Sequence, residues 1–195
     1  MKKILLILSV LFISFLLYKA HTKVTIINIP KGELKWSNIK PLQAKLCIPA
    51  AFSSIKNKVV GAYKIDGISY NSNKKYKVSL LNDTFTINRS WQSNNGFQQI
   101  ILVKDNKVFN LGKSQKKRIR RALCKNESKT FLIESNYPMT MTEFAQNCSK
   151  HCSDAIYLDM GEYGYGYIKR GIFTLPLYLI AYPYRHKQTN WLYIQ

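Results

Sequence analysis

Acidic side chains are scarce in this chain: ten Asp and Glu stand against 30 Lys and Arg, a formal net charge of +20. A field this positive favours anionic partners. The alternative is that the charge serves solubility alone. Long apolar runs are nearly absent too. The run from Ile4 to Tyr18 follows Lys2 and Lys3, and it is short for a membrane span. A second apolar stretch, Ile172 to Tyr182, is interrupted by Pro176, which argues against a second span. No cysteine follows the first run, so lipoprotein attachment is excluded. No internal repeat is visible, and the length of 195 residues suits one domain plus an export segment.

Two lysines ahead of a terminal, unbroken apolar run form the pattern of a signal peptide or signal anchor. The expected organisation is therefore residues 1–22 as the export segment and 23–195 as one domain. The expected location is the periplasm or cell envelope, with residues 4–18 as a tether if they are not removed. Apolar residues make up 46 % of the chain, which excludes a disordered chain. Aromatics make up 13 %, with 13 tyrosines, and many lie in alternating runs that favour strands.

Short apolar segments are separated by turn residues along most of the chain. Asp66-Gly67 and Lys104-Asp105-Asn106-Lys107 predict hairpin turns, and Asn82-Asp83 separates two further strand candidates. Ser93 to Gly96 reads as a loop. Thr140-Met141-Thr142-Glu143 is a capping box that opens a helix running to about Lys150. Ala155 to Leu158 reads as a buried strand ending in Asp159. These elements predict an α+β class: a mixed or antiparallel, sheet-rich single domain with one or two packed helices.

Four cysteines, Cys47, Cys124, Cys148 and Cys152, permit two disulfides in an exported chain. Helical neighbours four apart have Cβ atoms about 5–6 Å apart, too far for a relaxed bridge. If bridges form, Cys148 and Cys152 are therefore expected to pair with Cys47 and Cys124. His151 lies between them, but zinc would need a fourth ligand, and no metal site is assigned. The block from Lys113 to Lys125 is strongly basic. It has little aromatic interleaving, so single-stranded nucleic acid is not an expected partner. A solvated connection between strands is the favoured reading of that block.

The stretch from Thr140 to Gly171 carries the most chemistry. A carboxylate at a strand end is held rigidly, and neighbouring glycines let a ligand approach the backbone. Tyr163, Tyr165 and Tyr167 alternate with Gly164 and Gly166, so in an extended segment the three rings share one face. Such rings suit sugars; they equally suit a core. Asp159 and Glu162 are a carboxylate pair of the kind that divides acid and base roles in glycoside chemistry.

Pro138 to Ala145 and Asp154 to Gly161 resemble the C-terminal half of the phosphodiester glycosidase domain family. That family shows there a strand, a helix opening on a Met-Thr motif, and a Leu-Asp-Gly-Gly segment. In the same order, Leu46 to Phe52, Val59 to Gly67, Arg121-Ala122-Leu123 and Thr189 to Leu192 resemble its early strand, hairpin, middle motif and final strand. The resemblance implies hydrolysis of a sugar-1-phosphodiester. It assigns Asp159 as a catalytic carboxylate; Glu162, which stands where the family carries a serine, is the second carboxylate of the pair read above. Arg121 becomes the phosphate clamp and Gly161 matches the family's second glycine; Tyr163, which replaces another family serine, and Tyr165 are substrate contacts suggested by the Gly-Tyr alternation alone. Met160 stands in place of the family's first glycine, and Pro49-Ala50-Ala51-Phe52 lacks its asparagine. The implied partner is a phosphorylated or anionic glycan. The alternative is an envelope module that binds such a glycan without turning it over. The sequence leaves any cofactor undetermined.

Overall fold

The structure is a computed structural model. It describes residues 22–54, 58–71, 76–112, 115–127, 129–160, 166–177 and 190–195, with Ile4, Leu6, Ile7, Ser9, Val10, Ile13 and Ser14 of the leading segment. Those seven leading residues are helical and exposed. Among the described residues no helix is long and apolar enough to cross a membrane.

Three antiparallel sheets make up the domain. The first contains β1 (Val24–Asn28), β9 (Ile101–Lys104), β10 (Lys107–Val108), β11 (Arg121–Lys125), β12 (Thr130–Ser135) and β13 (Asp154–Leu158). Its order is β1-β12-β11-β13-β9-β10. The second contains β2 (Lys35–Ser37), β3 (Leu46–Pro49), β14 (Tyr167–Arg170), β15 (Phe173–Pro176) and β16 (Trp191–Ile194), ordered β15-β14-β3-β16-β2. The third contains β4 (Tyr63–Ile65), β5 (Ile68–Tyr70), β6 (Lys77–Leu81), β7 (Thr84–Asn88) and β8 (Asn95–Phe97), ordered β5-β4-β8-β6-β7. One helix, α1 (Met141–Cys148), lies against the first sheet. The class is the sheet-rich α+β expected, with a single helix among the described residues of the domain.

Turn chemistry sets several of these pairings. Asp66 and Gly67 have φ of 48° and 85°, and Asp105 and Asn106 have 51° and 63°. Two consecutive positive φ angles give a turn whose twist matches that of a strand pair, so β4–β5 and β9–β10 close as hairpins. The predicted loop at Ser93 to Gly96 is in part a strand. Asn95–Phe97 forms β8 in the middle of the third sheet, between β4 and β6. A side chain at Gly96 would strike the Val78 carbonyl and the Trp91 ring, so the glycine that suggests a loop is there to let two strands close up.

Alternation in the first sheet creates two cores. Leu123, Leu132, Ile156 and Leu158 point to one face and meet Leu46, Ile48, Leu192 and Ile194 of the second sheet and Val78, Phe85 and Phe97 of the third. Ala122, Cys124, Ile133, Ala155 and Tyr157 point to the other face and meet Phe144, Ala145 and Cys148 of α1. Burying Phe144 completely contributes about 1.5–3 kcal/mol. The capping box is formed as predicted: Glu143 N–H donates to Thr140 Oγ1 at 3.2 Å, and Thr140 N–H donates to the Glu143 carboxylate at 2.8 Å.

Candidate functional site

Strand β13 runs in the interior of the first sheet and delivers Asp159 at its end. Asp159 is half-buried. Its N–H donates to Ala50 O at 2.9 Å, and its Oδ2 accepts from Ser53 N–H at 3.3 Å. The chain leaving β3, residues 50 to 53, therefore wraps the carboxylate although it lies more than a hundred positions away in sequence.

That loop is held rigidly. Asn190, 2 % exposed, donates from Nδ2 to Ala51 O at 2.8 Å and to Ser53 Oγ at 3.0 Å. Its Oδ1 accepts from Ala51 N–H at 2.7 Å and from Trp36 Nε1 at 3.3 Å. Gln99 Nε2 donates to Ala50 O at 2.9 Å. Asn190 is a residue whose role in the site the sequence does not announce. The one signal for it is a polar amide immediately ahead of the apolar closing strand β16.

Arg121, the expected phosphate clamp, lies on the strand beside β13. It is directly opposite Leu158 on one side and Glu134 on the other. It is fully buried, and its Nε and Nη2 donate to Glu134 Oε2 at 3.0 and 2.8 Å. The pairing follows from register, because cross-strand neighbours on one face are in contact. A Cβ on Gly166 would come within 2.8 Å of Ile48 Cγ2 and 3.0 Å of Arg121 Nη1. The backbone of Gly166 thus lies directly against the guanidinium, an approach that requires a glycine.

Glu162, Gly161, Tyr163 and Tyr165 lie outside the described residues. Tyr167, the last ring of the Gly-Tyr series, packs with Ala44, Cys47 and Trp191 in a small core. Met160 is buried as well.

Tyr157 sits beneath the site, its ring 5.7 Å from that of Phe52. Burial raises the pKa of its hydroxyl; Arg120 opposes that rise and the Asp159 charge adds to it. The basic block is not wholly solvated. Arg120 is buried, donating from Nε to Met139 O at 2.8 Å and from Nη2 to Lys116 O at 2.7 Å. Burial lowers the pKa of this guanidinium. Lys116, Lys117 and Arg118 remain exposed.

The expected disulfide pattern is overturned. The four cysteines are free and buried. Cys47 packs in the second sheet, apart from the other three. Cys124 lies within hydrogen-bonding reach of the Cys148 and Cys152 thiols; burial first, then these neighbours, push its pKa well up. Among the described residues no group of three or more His, Cys, Asp or Glu is placed to hold a metal ion.

An open cavity of about 470 Å³ is lined by Phe52, by residues just outside the third sheet (Val60, Tyr76, Gln98) and by the segment after β10. Compared with known proteins, the chain matches no family model and no curated sequence.

Proposed function

We propose that the site around Asp159 hydrolyses a sugar-1-phosphodiester in the cell envelope, with the leading apolar segment directing export. The observation that supports this most is the convergence of two distant segments. The Asp159 carboxylate and the Ala50–Ser53 loop are tied together by the two hydrogen bonds described above. These are two of the segments that resemble the phosphodiester glycosidase family.

The chemistry suits a site with one well-placed carboxylate. Water adds to C1 of the sugar and the C1–O bond breaks. The electron pair leaves with a phosphate monoester, and Asp159 accepts the proton from water. A phosphate monoester, with a second pKa of about 6, departs at neutral pH with little help from a general acid. Glu162, three residues on, is the second carboxylate of this reading.

The full chain assayed against a panel of sugar-1-phosphodiesters tests it. Asp159→Asn is nearly isosteric and should keep the fold while lowering kcat by about 10²–10⁴. Unchanged turnover in that variant would remove Asp159 from the reaction.

Arg121 favours a second reading. Its guanidinium is committed to Glu134, which leaves the phosphate to other cations of a strongly basic surface, as a binding module requires. Retained binding of anionic glycans with no turnover of any phosphodiester would select that reading.

A further inference from the structure

We propose that the cavity beside Phe52 binds an alkyl chain, the apolar alcohol half of an amphiphilic phosphodiester. This rests on the phosphodiester reading above and adds to it the class of alcohol. The cavity's volume of about 470 Å³ is within the roughly 300–1,000 Å³ of small-molecule sites. Its walls are Phe52, Val60, Tyr76, Ile100, Phe109 and Leu111. The described lining contains no Asp, Glu, Lys, Arg or His, although the chain has 30 Lys and Arg. An uncharged group is therefore the chemistry that fits.

The acceptors of the three amides in the lining weigh towards an alkyl chain. A sugar site needs amides turned towards the ligand. Here Gln99 spends Nε2 on Ala50 O and Oε1 on Ile100 N–H, at 2.9 and 2.8 Å. Gln98 Oε1 accepts from Ala62 N–H at 3.4 Å, and Asn110 Oδ1 accepts from Gly112 N–H at 3.2 Å. Gln99 is engaged at both ends and the oxygens of Gln98 and Asn110 serve backbone N–H groups, so with Phe52, Val60, Tyr76, Ile100, Phe109 and Leu111 the cavity offers a ligand mainly hydrocarbon and aromatic surface. Burial of apolar area then provides the affinity.

Continuity with the Asp159 site fixes the rest of the ligand. Phe52 walls the cavity, and the next residue, Ser53, donates its N–H to Asp159. A chain lying against Phe52 places its ester head towards the same loop. The strong positive charge of the protein suits an anionic head.

Titration calorimetry of the full chain with the methyl, butyl and octyl esters of methyl phosphate tests the proposal without any sugar. Affinity should rise by about fourfold per added methylene until the cavity is full. Val60→Asp and Leu111→Asp, at the cavity wall, should remove that dependence; Val60 is already 55 % exposed, so its variant should fold. Equal affinity for the three esters, or a chain-length dependence that survives both variants, would overturn the proposal. Hydrolysis is read separately. Chain-length-dependent binding with no turnover of sugar phosphodiesters refutes the hydrolase alone, and turnover indifferent to the alcohol refutes the alkyl site alone.

Discussion

The two faces of the first sheet are built from the same strands and carry opposite chemistry. On the face towards the other sheets, Arg121 and Glu134 form an ion pair among Leu123, Leu132, Ile156 and Leu158. On the face towards α1, Cys124 lies with Cys148 and Cys152 among Ala122, Ile133 and Ala155, with no ion pair in the group. Moving one residue along β11 changes a buried guanidinium into a buried alanine. The difference shows that position on a strand, rather than membership of a basic block, decides what an arginine does here. Arg120 and Arg121 are neighbours in that block, yet one serves the loop before β11 and the other the core.

The largest effect should come from breaking the pair on the inner face. Glu134→Gln leaves a buried guanidinium without its counter-charge, which typically costs about 3–5 kcal/mol. Denaturant unfolding measures it. The double substitution Arg121→Met with Glu134→Leu should recover most of that loss, since a buried pair replaced by apolar residues is often neutral or better. It also sharpens the functional question. A folded but inactive double variant makes Arg121 part of the site, and a folded, fully active one makes the pair purely structural.

Next comes Gly166, whose backbone rests against that pair. Gly166→Ala brings a methyl to 2.8 Å from Ile48 and 3.0 Å from Arg121. Ile48 is buried with no room to retreat, so a loss of about 1–3 kcal/mol is expected. A neutral result by thermal unfolding would mean that the strand end is looser than its contacts imply.

Local signals were legible in the sequence and long-range ones were not. The hairpin at Asp66-Gly67, the cap at Thr140 and the position of Asp159 at the end of a strand all rest on neighbours within a few residues, and all are found. The disulfide expectation failed for a reason that spacing cannot reveal. Cys47 packs in a separate small core of the second sheet, away from Cys148 and Cys152, which lie with Cys124 against the first, and only the assembled topology shows that separation. Glu134 as the partner of Arg121 likewise becomes visible only when the β11–β12 register is known. Asn190 binds residues 137 and more positions away, so its role in holding the loop is visible only in the assembled fold.

The thiols extend the comparison to a third environment. Burial, partly offset by Lys40 and Tyr167, pushes the Cys47 thiol up from 9.0 to about 12. A raised pKa means that the folded state holds the proton longer than the unfolded state. The contribution is thus complete below pH 9.0 and is lost as pH rises towards 12. Stability should fall by at most about 1.4 kcal/mol per pH unit in that window from this group. Cys47→Ala should flatten the slope when unfolding is followed from pH 8 to 11. An unchanged slope would place the titration elsewhere.

The smallest effect belongs to the N-terminal end of α1. Thr140→Ala removes the side chain that accepts from Glu143 N–H, a loss of about 1 kcal/mol. The other half of the box depends on pH. The Glu143 carboxyl is held below its ordinary value, first by the Thr140 backbone N–H and then by the Thr140 side chain. Its contribution is present above the ordinary carboxylate pKa and disappears as pH falls through the depressed folded value. Glu143→Gln keeps an acceptor without the charge, so wild type should lead the variant at neutral pH and lose that lead in acid. Unfolding of both proteins between pH 7 and 3 reads the difference directly. A constant gap would mean that the charge on Glu143 does nothing for the helix. The outer helix face would then be stabilised by packing alone, and only the inner face of the sheet would depend on an ionised group.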